Sequence, residues 1–373
     1  MKKTILISTA IYPPDIGGPA TFIEKLEKRL IENGYKVTIV ALTDNKNSII
    51  VKKSNIEQIF IPRNSNYIFR TLRIVITLII KGRKADLLFV NGLFIESAVS
   101  LFFTHKLAIG KFVGDPIWER YRNKNKTEYK IEEFFNSKSS IIKKVMIRLY
   151  KKCFEKLHTI IFPSHYLMAF FSDIYVTHNK KNVIYNSIAT PENQNSNKIF
   201  SKQWDVIILS RLVKWKNIDL VFENMVNSNC EIIVVGDGPE MNYLKNSSKK
   251  NKLNVFYSGG VSNAESLKYL KKSKIFVQVS SYEGFSHSLL EAMSLGLVCV
   301  VSDIPAHREI IEHNVNGIII KSEEFVDLNF KIQGILKNQN LYDQISARAI
   351  ETIKKRFTDE VSLNKYLEIF NKL

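Results

Sequence analysis

Residues 275–301 read IFVQVSSYEGFSHSLLEAMSLGLVCVV, and the pattern changes character along the way. Ile275–Val279 is a short apolar run with β-branched members, as is Leu297–Val301, and each predicts a buried strand. Between them Ser288–Leu295 holds good helix formers, and Gly296 is a natural stop. Ser286 or Ser288 is placed to cap that helix, whose first-turn N–H groups have no internal partner. Such a helix start favours a bound anion. Glu283 falls on the loop beyond the carboxyl end of the first strand, where open α/β sheets bind ligands. Glu291 follows about one turn inside the helix, with its side chain able to face the same crevice. On spacing alone the two glutamates also fit an ordinary turn residue and a solvated helix residue.

The longer run SSYEGFSHSLLEAMSLGLVCVVSDIPAHREII separates these readings. It resembles the retaining GT-B glycosyltransferases of family 4, the glycosyl transferases group 1, and in particular the bacterial polysaccharide-biosynthesis enzymes. The family's paired glutamates fall on Glu283 and Glu291, and the EGF, LEAM and SDIP words match around them. The resemblance implies an α/β protein of GT-B fold, two Rossmann-like βαβ domains facing across a cleft, with a nucleotide sugar held by the second. Ser286 and His287 stand where many members have Gly and an apolar residue, so the donor is not copied from a typical member.

The rest of the chain fits that frame. At 373 residues it is long for one core and comfortable for two, and 45% hydrophobic residues suffice to fill them. Cys153, Cys230 and Cys299 are widely spaced and odd in number, which argues against a disulfide framework or a metal cluster and suits a reducing cytosol. The opening MKKTILISTAIYPP has an apolar run too short for a secretory leader and reads as a first strand. The longest apolar stretch, 87–103, is interrupted by Asn91 and Glu96, so no membrane span is expected.

A net charge of +18 leaves nucleic acid and anionic lipid physically open as partners. The sequence contains no zinc pattern, aromatic RNA motif or recognition helix, so nucleic acid is not expected. Arg70, Arg73 and Lys81 flank an apolar helix over 67–82, and Lys138, Lys143, Lys144, Arg148, Lys151 and Lys152 lace another over 141–157. Both read as basic amphipathic helices suited to an anionic membrane surface, or as solvated faces of a lysine-rich protein.

In the N-terminal half, Lys3–Thr9 predicts the first strand, residues 10–20 a loop stiffened by Pro13-Pro14, and Thr21–Asn33 a helix. Gly17-Gly18 allows backbone N–H groups close to an anion and resembles the family's N-terminal glycine loop. After a strand over 107–114 comes GDPIWER, where Gly114 stands at the place of a sugar-contacting His in many members. Asp115 is then a candidate for a sugar- or acceptor-facing role, or a helix cap, with Trp118, Glu119, Arg120, Ser164 and His165 as further acceptor-side candidates.

Residues 190–203 read as a linker, and a second βα series opens at Asp205. The expected division is an acceptor-side domain over 1–190, a linker over 191–203, a nucleotide-sugar domain over 204–354, and a helix over 355–373 returning to the first domain. Arg211 and Lys216 resemble the family's pyrophosphate-binding pair, Gly236 in GDGPE shapes the nucleotide pocket, and Val261 lies in the loop that meets the base. Gly284, Phe285, Ser286, His287 and Ser288 complete the donor site.

The mechanism implied is transfer with retention from a UDP- or GDP-sugar to a saccharide hydroxyl, without a cofactor or required metal. Glu283, Asp115, Arg211 and Lys216 carry the chemistry. The acceptor expected is an oligosaccharide on a membrane lipid pyrophosphate, which places the protein in the cytoplasm, peripheral on the inner face of the membrane. A nucleotide-sugar epimerase, a phosphorylase and a non-catalytic basic binding protein are the alternatives. No lysine matches a phosphorylase cofactor site.

Overall fold

Alternation along the strands decides which side of each sheet a residue serves. In Glu231–Val235, Ile232 and Val234 enter one core cluster while Ile233 and Val235 enter another on the opposite face. The neighbouring strands repeat the division, Val298 and Val300 on one side, Cys299 and Val301 on the other. Strands buried on both faces are the mark of a parallel sheet sandwiched by helices.

The computed structural model describes residues 3–15, 18–123, 131–137, 140–189 and 202–373. Two compact units emerge, Met1–Ile184 together with Leu363–Leu373, and Tyr185–Ser362. Most of the expected linker, residues 190–201, lies outside the described residues, as do Gly17 and Lys138.

The first unit contains β1 (Thr4–Thr9), α1 (Gly18–Glu32), β2 (Lys36–Thr43), β3 (Ile49–Lys53), β4 (Ile56–Pro62), α2 (Tyr67–Gly82), β5 (Leu87–Asn91), α3 (Phe94–Thr104) and β6 (Leu107–Lys111). It continues with α4 (Pro116–Asn123), α5 (Ile131–Asn136), α6 (Ile141–Glu155), β7 (Thr159–Phe162), α7 (His165–Tyr175) and β8 (Lys180–Val183). Its sheet runs β3-β4-β2-β1-β5-β6-β7-β8. Every pairing is parallel except the hairpin β3–β4. Helix α1 starts at Gly18, earlier than the sequence predicts, because Pro19 falls in the first turn, where its missing N–H has no partner to lose.

In the second unit are β9 (Trp204–Leu209), α8 (Ile218–Glu223), β10 (Glu231–Val235), α9 (Met241–Lys250), β11 (Asn254–Gly259), α10 (Asn263–Lys271) and β12 (Ser273–Gln278). Then follow α11 (His287–Ser294), β13 (Val298–Ser302), α12 (Pro305–Arg308), β14 (Ile318–Ile320), α13 (Leu328–Lys337) and α14 (Gln339–Arg356). The all-parallel order β11-β10-β9-β12-β13-β14 reverses direction between β9 and β12. That switch point is where a doubly wound sheet opens a crevice at its carboxyl edge.

A last helix, α15 (Asp359–Lys372), carries Leu363, Tyr366, Leu367 and Phe370 into the core of the first unit. Phe89 meets Tyr366 and Phe370 edge-on, with ring centroids 5.9 and 5.6 Å apart.

Candidate active site

The loops that leave β9 and β12 are tied together at the switch point. Ser281 N–H donates to Trp215 O at 2.8 Å, and Asn217 Nδ2 donates to Val279 O at 3.0 Å. Lys216 on the first loop then reaches Glu283 on the second, Nζ to Oε1 2.5 Å. The side chains are 14% and 12% exposed, so water screens the pair only weakly.

Glu283 Oε1 accepts from two more donors, Gln278 Nε2 and Ser280 Oγ, each at 2.7 Å. A buried carboxylate oxygen with three donors is held in one place, and the concentration of donors on Oε1 leaves Oε2 as the face able to receive a ligand hydroxyl. Gln278 is a polar residue inside an apolar strand, a signal the sequence carried but whose purpose required its partner to be seen. Its Oε1 accepts from Ser286 Oγ at 2.8 Å.

Ser286 is also the N-cap of α11, accepting from Leu289 N–H at 3.2 Å while its carbonyl takes Leu290 N–H. Of the two serines the sequence allowed as cap, Ser286 takes the role. With its hydroxyl so engaged, the helix start at His287 and Ser288 presents backbone dipoles toward an anion.

Arg211 follows β9 and is exposed. Its loop is shaped by the GDG turn after β10. Gly236 has φ +134°, and a Cβ there would lie 2.0 Å from Ser210 O; a Cβ on Gly238 would lie 2.2 Å from Leu212 O. Leu212 N–H donates to Asp237 O at 2.9 Å across this contact. The glycines therefore permit a backbone-to-backbone approach that any side chain would break. Glu291, on α11, accepts from Asn263 Nδ2 at 2.9 Å, which links it to the start of α10.

Behind Glu283 lies His307, fully buried. Its Nδ1 donates to Ser302 O at 2.8 Å, which leaves Nε2 as the acceptor of a neutral ring, and Nε2 has no partner. Burial lowers the His307 pKa, opposed by the negative charge of Glu283 and reinforced by Lys216. Ser302 Oγ donates to Ser280 O at 2.6 Å, so the His307 strand end supports the serine that donates to Glu283. The sequence reading passed over Ser280, Ser302 and His307, whose importance arises from three separate chain segments meeting.

Comparison with known proteins bears on this unit directly. The family description "Glycosyl transferases group 1" matches residues 189–352. An O-antigen biosynthesis glycosyltransferase of Escherichia coli, WclY, is 28% identical over 52% of this chain and 56% of its own length. An N,N'-diacetylbacillosaminyl-diphospho-undecaprenol alpha-1,3-N-acetylgalactosaminyltransferase of Campylobacter jejuni is 25% identical over 63% of this chain and 66% of its own length. Among solved structures, Anabaena HepE in complex with UDP superposes with a TM-score of 0.75, covering 100% of both chains at 16% identity. The C-terminal unit is a glycosyl transferases group 1 domain. The fold of the chain is GT-B.

Within the group 1 domain, the remaining family-matched residues divide by environment. Val261 is half-buried against the core at the turn into α10. Gly284 follows Glu283 on the loop, and His287 is exposed at the start of α11. Phe285 is different: its ring is buried, stacked on Tyr185 at 5.3 Å and beside Phe357 at 5.7 Å. Its side chain is a packing residue, so only its backbone remains for a donor contact. Among the described residues no three or more His, Cys, Asp or Glu side chains gather as a metal site.

Outside the group 1 domain, Gly18 is exposed at the start of α1, and Gly17 lies outside the described residues. Asp115 corrects an expectation. It is fully buried, its Oδ1 accepting from Ile117 and Trp118 N–H at 2.9 and 2.8 Å and its Oδ2 from Tyr175 Oη at 2.5 Å. Its carboxylate caps α4 and anchors α7, and both oxygens are occupied by the protein. Burial raises its pKa to about 6, against the lowering effect of those three hydrogen bonds. The cap reading of the sequence is the one its geometry satisfies, and a sugar- or acceptor-facing role is not offered. Ser164 likewise caps α7, accepting from Leu167 N–H at 3.1 Å.

Proposed function

We propose that this chain is a retaining glycosyltransferase that moves a sugar from a UDP- or GDP-linked donor to a saccharide hydroxyl, in bacterial surface polysaccharide assembly. The observation that carries the reading is the Lys216–Glu283 pair at the switch point, held by Gln278 and Ser280 and flanked by Arg211 and the start of α11. The reaction breaks the bond between the anomeric carbon and the donor phosphate, so negative charge grows on the leaving diphosphate and positive charge on the sugar. Lys216 has three N–H donors and uses one on Glu283, leaving two for a phosphate oxygen. Arg211 and the N–H groups at His287 and Ser288 supply further positive potential where the diphosphate would lie. Electrostatic help aimed at developing charge is the largest contribution such a site can make.

Glu283 binds sugar hydroxyls through Oε2 and stabilises the cationic anomeric carbon, and Glu291 binds the ribose hydroxyls. The acceptor hydroxyl attacks on the face the leaving group departs from, and the departing phosphate takes its proton, which retains configuration and requires no bound metal. The acceptor is an oligosaccharide on a membrane lipid pyrophosphate, and the protein works at the cytoplasmic face of that membrane. The diphospho-undecaprenol substrate named for the Campylobacter relative and the UDP bound to the Anabaena structure support this class of donor and acceptor.

Incubation with candidate sugar nucleotides and lipid-linked acceptors, followed by NMR of the product, tests the reading. Transfer with the donor's anomeric configuration, undiminished by a chelator, is expected. An inverted product, or release of free sugar 1-phosphate, would replace it with an inverting transferase or a phosphorylase.

A further inference from the structure

Helices α2, α3 and α6 pack side by side on one face of the first unit, and each turns apolar side chains away from the core. On α2 the exposed residues Phe69, Leu72, Ile76 and Ile80 follow a helical stripe, opposite the buried Ile74 and Leu78. On α3, Phe102 and Phe103 stand out at the C-terminal end. On α6 the stripe is Ile141, Ile142, Val145 and Leu149. These are not marginal exposures: Phe69 is 74% accessible, Phe102 62% and Ile141 81%.

The three helices adjoin. Gly82 lets the end of α2 approach Thr104 of α3, where a Cβ would come within 3.1 Å. Lys156, at the end of α6, sets its ammonium 5.5 Å from the Phe102 ring centre on α3. Exposed large apolar side chains gathered on adjoining helices mark an interaction site.

Cations border it. Arg73, Lys144, Arg148 and Lys152 are exposed on the same helices. Lys143, which the sequence suggested as part of the basic face, is instead buried and donates to Phe134 O at 2.6 Å. No described helix is long and apolar enough to cross a membrane.

We infer that α2, α3 and α6 form one docking face for an anionic lipid bilayer, with Phe69, Phe102, Phe103 and Ile141 entering the headgroup–acyl boundary and the lysines and arginines meeting lipid phosphates. Apolar side chains ringed by cations match that boundary, which is apolar on one side and negatively charged on the other. The inference deepens the proposed function by naming the surface that brings the protein to a lipid-borne acceptor, and α3 is the element that makes two separate basic helices into one face.

The test is co-sedimentation of the full chain with vesicles of mixed phosphatidylglycerol and phosphatidylcholine, and with phosphatidylcholine alone. One variant combines Phe69→Ser, Phe102→Ser and Phe103→Ser. A second combines Arg73→Gln, Lys144→Gln and Arg148→Gln. Exposed sites tolerate such changes with little loss of stability, which a melting curve verifies. Wild type is expected to bind the anionic vesicles, and each variant to bind them about tenfold or more weakly. Nucleotide-sugar binding, measured on the same samples, is expected to stay unchanged.

Absence of vesicle binding by wild type, or equal binding by the serine variant, overturns the docking face while leaving the glycosyltransferase reading intact. A wild-type dimer that the serine variant dissolves, without vesicle binding, assigns the face to a second copy of the chain instead. Vesicle binding without any nucleotide-sugar affinity leaves the docking face standing and removes the proposed function.

Discussion

Lys216 Nζ and Glu283 Oε1 meet at 2.5 Å on two loops that leave adjacent parallel strands, so the charges expected to serve the leaving group and the sugar already hold one another. Neither is well solvated, and each carries the opposite charge that offsets burial of the other, with Gln278 and Ser280 also donating to Glu283. Removing one partner of such a pair costs roughly 3–5 kcal/mol because the survivor is left uncompensated. Lys216→Ala is therefore expected to destabilise the second unit by about 3 kcal/mol and to lower turnover by about a hundredfold or more. Denaturant melts and steady-state rates on Lys216→Ala, Glu283→Ala and the double variant give the coupling. Strictly additive losses would mean the two side chains act independently.

His307 should make the stability of the second unit depend on pH. Its pKa in the folded protein is lowered by burial, so the folded state disfavours the proton. The stabilising contribution is fully present above the unfolded imidazole pKa and is lost as pH falls through the folded one. His307→Asn retains an N–H for Ser302 O and cannot titrate. The difference in melting temperature between wild type and His307→Asn should shift against the wild type as pH falls from neutrality into the acid range. A difference that stays constant with pH would contradict the assignment.

Asp115 has the opposite sign in the first unit. Its folded pKa is raised to about 6, so its contribution is full below the unfolded carboxyl value and is lost as pH rises through 6. Asp115→Asn keeps an acceptor for the two α4 N–H groups and should flatten that dependence. Turnover per folded molecule is expected within about threefold of wild type, whereas Asp115→Ala loses the cap and about 1–2 kcal/mol. A collapse of turnover in a well-folded Asp115→Asn would restore the catalytic role that the burial argues against.

Much of this was legible in the sequence, and the exceptions have a common cause. Strand–loop–helix periodicity located β12, α11 and β13 within a residue or two, because apolar runs bounded by Gly and Ser are local signals. The Lys216–Glu283 contact was not legible: the sequence places Lys216 toward the diphosphate and Glu283 toward the sugar, and the contact that the pairing of β9 with β12 brings about spans 67 positions. Gln278, Ser280, Ser302 and His307 remained hidden because hydrogen bonds among residues distant in sequence leave no spacing rule. Asp115 was ambiguous since an N-cap and a ligand-facing carboxylate look alike until burial is known. The exposed face of α3 was hidden for a related reason: an apolar helix after a buried strand reads as core until its neighbours are placed.

The GDG turn offers a separate check. Gly238→Ala would drive a Cβ into Leu212 O, where 2.2 Å is available, and must move the loop that carries Arg211. Donor affinity is expected to fall tenfold or more with an altered but folded unit, since the strain is local and of order 1–3 kcal/mol. Isothermal titration with UDP alone measures it, and unchanged affinity would show that the Arg211 loop takes no part in nucleotide binding.

The central claim is that the switch-point crevice of the second unit binds a nucleotide sugar. Calorimetric titration of UDP- and GDP-sugars into wild type and Glu291→Ala tests it most directly. One sugar nucleotide should bind wild type tightly and Glu291→Ala at least tenfold more weakly, as loss of a charge-assisted hydrogen bond to a ribose hydroxyl requires. Equal affinity in the two proteins, or no binding of any sugar nucleotide to folded wild type, would contradict it.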